Sequence, residues 1–154
     1  VEGVNLMQTL IDDVLVYSKV DLLGIEWGLT EVSTAFDRAL SHLRGRIAET
    51  GAIVTFDPMP TIVADSTQLM QLFQNLIGNA IKFRKPDTVP QIHISIARQE
   101  DDWLFSVRDN GIGIDPRFFE RIFVIFQRLH TRDEYSGSGM GLTICKKIVE
   151  CHRG

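Results

Sequence analysis

Asp109-Asn110-Gly111-Ile112-Gly113-Ile114, with Gly137-Ser138-Gly139-Met140-Gly141-Leu142 further along the chain, are the segments on which the fold turns. Glycine pairs serve many ordinary turns. Here the first cluster leaves an alternating strand and the second opens an amphipathic helix, a context that points to a nucleotide site. Trp103, Phe105 and Val107 alternate with less apolar neighbours, as one face of a half-buried strand should, and this puts Asp109 at a strand end. A carboxylate only accepts hydrogen bonds, so Asp109 suits a donor such as the exocyclic amine of a base. Gly111 and Gly113 let the backbone turn and approach a ligand without Cβ atoms in the way. After the second cluster, Leu142, Cys145, Ile148 and Val149 recur at helical spacing, and the free N–H groups at such a helix start attract phosphate.

Composition sets bounds on this reading. The chain has 154 residues, 44% of them hydrophobic, enough for one domain with a genuine core. Its net charge of −4 argues against a general nucleic-acid binder, which carries a basic footprint. No apolar stretch is long enough to span a bilayer and no signal-peptide pattern opens the chain, so no membrane contact and a cytoplasmic setting are expected. Cys145 and Cys151 lie on different faces of one predicted helix, which disfavours a disulfide between them and fits a reducing compartment. Neither they nor His42, His93, His130 and His152 show metal-ligand spacing.

From Asn5 to Val20, the residues Leu6, Leu10, Ile11, Val14, Leu15 and Ser18 follow a helical repeat and predict a packing helix. Residues 21–28 form a connector. Val32, Ala35, Phe36, Ala39, Leu40, Leu43 and Ile47 predict a second helix, capped by Gly51. Strands are expected at Ala52 to Phe56 and Thr61 to Ala64, separated by Pro58-Met59-Pro60. Asp65 with Gln68 is a capping-box signature for a third helix, apolar along Leu69, Leu72, Phe73, Leu76, Ile77 and Ala80 and stopped by Pro86. Ile92, Ile94 and Ile96 then pair with the Trp103 strand in an antiparallel hairpin, across a polar turn from Arg98 to Asp102. Pro116 opens a short helix through Phe123, and the polar stretch from Gln127 to Ser136 reads as a lid.

On the third helix Asn75 and Asn79 are one turn apart and share a face. Asparagine is a mediocre helix former, so a pair beside a well-patterned apolar stripe suggests a demand on its carbonyl oxygens. Amide oxygen is a hard ligand suited to magnesium, which keeps several waters and takes substrate phosphates. Lys82 extends the same face toward a phosphate, and Phe83 serves either a base or the core. Arg128, His130 and Arg132 on the lid are phosphate candidates or merely solvated charges.

Taken in order, these segments resemble the sensor histidine kinases. Gln74 to Phe83 is similar to their N box, Asp109 to Ile114 to the G1 box, Phe119 to Phe126 to the F box and Gly137 to Leu142 to the G2 box. Phe126 to His130 and Ile144 to Val149 look most similar to phytochrome-type and related bacterial kinases. The resemblance implies the Bergerat fold, an α/β sandwich whose mixed sheet is covered by helices on one face. It implies that Asn79 coordinates Mg²⁺ with help from Asn75, that Lys82 contacts phosphate and that Asp109 receives the adenine amine of ATP. Phe83, Arg128, Met140 and Leu142 would line the nucleotide site, and Gly111, Gly113, Gly137, Gly139 and Gly141 would shape the pocket and lid ends.

The segment Met7 to Ser18 resembles the end of a dimerisation and histidine-phosphotransfer helix. The division this implies is 1–20 for that helix, 21–28 for a connector and 29–154 for the ATP-binding catalytic domain, ending short of the family's last strand. Partners implied are the dimerisation module, a response regulator and a second copy of the parent. None of the four histidines lies in an H box, so the chain is expected not to autophosphorylate alone. Hydrolytic relatives of the gyrase, Hsp90 or MutL type carry a glutamate where Asn75 stands, and an amide cannot act as that general base. This favours phosphoryl transfer over hydrolysis, with a binding module lacking transfer activity as the remaining alternative.

Overall fold

The computed structural model describes residues 2–22, 24–130 and 135–154. Arg132 and the middle of the expected lid lie outside the described residues. The elements run α1 (Glu2–Leu22), β1 (Gly28–Glu31), α2 (Val32–Thr50), β2 (Ile53–Phe56), β3 (Thr61–Ala64), α3 (Ser66–Lys82), β4 (Gln91–Gln99), β5 (Asp102–Asp109) and α4 (Gly141–Cys151). They divide into two compact units, one of residues 28–113 and one of residues 1–27 with 114–154.

In the first unit β2, β4 and β5 form a mixed sheet, with β2 parallel and β5 antiparallel to the central β4. β1 and β3 pair separately as a short antiparallel ribbon. Helices α2 and α3 pack on one face of the mixed sheet. Phe36, Phe73 and Ile77 from the helices meet Ile92 and Ile94 from β4, and all five are buried. Phe36 makes edge-to-face contacts with Phe56 and Phe73 at 4.9 and 5.4 Å, an arrangement that aromatic quadrupoles favour. The opposite face carries Thr55, His93 and Arg108, all polar, as a sheet with one solvated face requires.

Gly51 closes α2 in the left-handed conformation at φ 68°, as the sequence predicts. The capping box of α3 is only half made. Asp65 accepts from Thr67 N at 2.9 Å and Gln68 N at 3.0 Å, whereas the buried Gln68 Oε1 finds no partner among the described residues. The cap therefore rests on Asp65, and Asp65→Ala is expected to lower unfolding free energy by about 1 kcal/mol in denaturant titration. The expected five-residue hairpin turn is shorter: β4 and β5 extend to a Gln99↔Asp102 pair, and Glu100 takes the bend at φ 51°.

In the second unit three expectations are corrected. The apolar face of α1 is double rather than single: Leu6 and Leu10 are half-buried and Val20 is buried, while Ile11, Val14 and Leu15 are exposed, with Val4 and Met7 extending that outer seam. Residues Pro116 to Phe123 form not a helix but two 3-10 turns, Pro116–Phe118 and Arg121–Phe123. A segment this short cannot repay helix nucleation, and Asp115 caps only its first turn through Arg117 N at 2.9 Å. The Arg117 guanidinium beside Asp115 also holds that carboxyl below its ordinary range. Finally, α4 buries Thr143, Ile144, Cys145 and Ile148, and leaves Val149 exposed. Thr143 can face inward because its hydroxyl donates to Phe123 O at 3.1 Å.

Candidate functional site

In the unit of residues 28–113, the site begins where α3 ends. Asn75 and Asn79 are half-buried on that helix one turn apart. Asn79 makes no side-chain hydrogen bond among the described residues, although a half-buried amide ordinarily finds one. The helix closes as Phe83 N donates to Asn79 O at 2.9 Å. Lys82 folds back so that its Nζ lies 4.5 Å from the Phe83 ring centroid, a cation–π contact.

The turn after β5 docks directly on this helix end. Ile112 N donates to Phe83 O at 2.9 Å, satisfying a carbonyl that the helix leaves orphaned. Approach this close explains Gly111. A Cβ there would lie 2.5 Å from Phe83 O and 2.7 Å from Asp109 Oδ1, closer than real contacts allow. Asp109 is exposed at the strand end, and its Oδ1 accepts from Gly111 N at 2.7 Å. Asp109 Oδ1 thus shapes the turn, and its Oδ2 has no hydrogen-bond partner among the described residues. The helix carrying the amides and the turn carrying the carboxylate are therefore joined through one backbone hydrogen bond.

Spacing alone misses Asn110. Its Oδ1 accepts from Gln91 N at 2.9 Å and its Nδ2 donates to Val89 O at 3.1 Å, tying the turn to the start of β4. Asparagine's habit of pairing with backbone in place of a peptide group was the available signal.

In the other unit the second glycine cluster has its own scaffold. Arg128 donates from its guanidinium to the carbonyl oxygens of Tyr135 and Gly137. Gly139, at φ 80°, lies against that side chain: a Cβ there would be 2.8 Å from Arg128 Cγ and 3.2 Å from Gln127 O. Ser138 donates to the Asp13 carboxylate of α1, and Met140 N donates to Ser138 Oγ at 3.3 Å. Met140 is fully buried, Leu142 is half-buried and Gly141 opens α4. His130 packs edge-on to Tyr135 with centroids 5.1 Å apart. Two further contacts fix α1 and its connector in this unit: Lys147 Nζ lies 5.1 Å from the Tyr17 ring centroid, and Trp27 meets His152 at 5.1 Å.

A helical layer on one face of a mixed sheet, with a strand-end aspartate and a glycine turn docked on an asparagine-bearing helix, defines a nucleotide-binding α/β sandwich. Residues 64–154 match the histidine kinase-, DNA gyrase B- and HSP90-like ATPases, and the chain belongs to that family. It is 74% identical over its full length to cyanobacterial phytochrome A of Nostoc sp. strain PCC 7120, of which it covers 20%. It is 61% identical over its full length to the phytochrome-like protein Cph1 of Synechocystis sp. strain PCC 6803, again covering 20%. The chain thus spans about a fifth of the length of these curated relatives. Among solved structures, full-length ShkA in complex with AMPPNP superposes with a TM-score of 0.76 at 25% identity, over 94% of this chain and 31% of that one. The Bergerat fold and the histidine-kinase type of ATP-binding domain expected from the motifs are those of its relatives. No helix among the described residues is long and apolar enough to cross a membrane.

Proposed function

We propose that this chain is the catalytic part of a two-component sensor histidine kinase and carries the γ-phosphoryl group of Mg-ATP to a histidine on a dimerisation module. The observation that carries the reading is the docked turn: Ile112 N on Phe83 O ties the Asp109 carboxylate to the helix of Asn75 and Asn79. In this reading Asp109 Oδ2 accepts from the adenine amine while Oδ1 keeps the turn. The half-buried amide of Asn79, without a side-chain hydrogen bond among the described residues, fits a hard cation, so Asn79 with Asn75 would hold magnesium. The chemistry a bound magnesium ion supplies is neutralisation of phosphate charge. Lys82 would leave its neighbour's ring to meet a phosphate, and Phe83, Gly111 and Gly113 would shape the pocket around the nucleotide. The motif resemblance assigns Gly137, Gly139, Met140, Gly141 and Leu142 to a glycine loop for the nucleotide, and Arg128 braces that loop through the Tyr135 and Gly137 carbonyls. Catalysis is then positioning and charge neutralisation, because the Asn75 amide cannot activate water.

The outer seam of α1, Val4, Met7, Ile11 and Val14, has the alternating three- and four-residue spacing of a coiled-coil contact. It supports residues 1–20 as the end of a dimerisation helix, 21–28 as a connector and 29–154 as the catalytic domain. A homodimeric parent that passes phosphate to a response regulator in the cytoplasm follows from this reading. Incubation with γ-labelled ATP is expected to label a dimerisation module added in trans and to leave this chain unlabelled. Rapid release of free phosphate without acceptor labelling would favour a hydrolase, and neither product would favour a binding module.

A further inference from the structure

Asn110 sits where the sheet ends and the nucleotide turn begins. β4 and β5 pair in register as far as Ile92↔Asp109, so the next step would place Gln91 opposite Asn110 in the ladder. The backbone leaves the sheet at that point, and the Asn110 side chain stands in for it. Its Oδ1 accepts from Gln91 N at 2.9 Å, and its Nδ2 donates to Val89 O at 3.1 Å. A primary amide offers one acceptor and donor hydrogens in one plane, as a peptide group does, and so continues the pairing by one step. The main chain of 110–113 is thereby released from the ladder. Its N–H groups become available for the bonds seen at Gly111, to Asp109 Oδ1 at 2.7 Å, and at Ile112, to Phe83 O at 2.9 Å.

We infer that Asn110 is a positioning residue for base recognition: its amide clamps the turn to the start of β4 and so fixes the direction in which Asp109 presents its free carboxylate oxygen. The inference rests on the reading of Asp109 as the partner of the adenine amine. Neither group of Asn110 needs to touch the nucleotide. Removing the clamp should therefore weaken recognition of the base amine in particular, and leave phosphate binding largely alone.

Calorimetric titration of the 154-residue chain with ATP and with inosine triphosphate, whose keto group replaces the amine, tests this. Wild type is expected to prefer ATP. Asn110→Ala is expected to raise the Kd for ATP about tenfold and to change the Kd for inosine triphosphate less than about twofold, below the melting midpoints of both proteins. Asn110→Asp keeps the size and the acceptor for Gln91 but loses the donor for Val89, and should show an intermediate loss of preference. Its added charge acts on both triphosphates alike, so the ratio stays informative even if the alanine variant does not fold. Equal weakening of both ligands would reduce Asn110 to a structural role and overturn the inference. So would a retained preference in the Asn110 variants when Asp109→Asn loses it, a result that leaves the Asp109 reading standing. A wild type without preference overturns both.

Discussion

Replacing Asp109 with asparagine is expected to cost about a hundredfold in ATP affinity, the effect of losing a charge-assisted hydrogen bond of about 3 kcal/mol. The substitution is mild for the fold. An asparagine Oδ1 can still accept from Gly111 N, now 2.7 Å from Asp109 Oδ1, so the turn keeps its internal bond. What changes is the other end of the side chain, where an amide donor replaces a carboxylate oxygen and meets the donor of the base. The melting midpoint should therefore shift little while calorimetric ATP binding falls steeply. Undiminished binding would remove Asp109 from the site.

Asn79→Ala should likewise separate ligand binding from stability. Alanine is the better helix former, and no side-chain hydrogen bond among the described residues is lost with the Asn79 amide, so the variant is expected to be as stable as wild type or more stable by about half a kcal/mol. Its ATP affinity in the presence of magnesium should fall at least about tenfold, whereas affinity measured with the metal chelated should stay the same. The difference between the two conditions is the informative quantity. If magnesium strengthens ATP binding by the same factor in both proteins, Asn79 does not hold the ion.

Much of this was legible in the chain because it depends on near neighbours. The stripe through Val32, Phe36, Ala39 and Leu43 buries as its period predicts, Gly51 caps α2, and β3 has the predicted bounds. Errors fell where neighbours do not decide. The periodicity of α1 shows that the helix is apolar, but which residues face inward depends on α4, and Tyr17 is fixed there by Lys147. Val149 fits a helical stripe and is exposed all the same, while Thr143, its hydroxyl donating to Phe123 O, is buried. Arg128 read from its charge as a phosphate candidate or a solvated side chain. Its guanidinium donates to the carbonyls of its own loop, partners that only the folded backbone brings within reach.

The sequence by itself determined the family, the order of elements and the residue types of the site. Each of these is carried by spacing within one helix, strand or glycine cluster, where covalent geometry fixes the relation. Only the tertiary structure decided that the Asp109 turn rests on Phe83 O, that Asn110 takes over from the ladder at Val89 and Gln91, and that β2 lies parallel to β4. Those contacts join residues far apart in the chain, two of them through backbone hydrogen bonds and one through the Asn110 side chain. Backbone groups are the same at every position, so which of them meet across such distances is set by how the elements pack and not by spacing within any one of them.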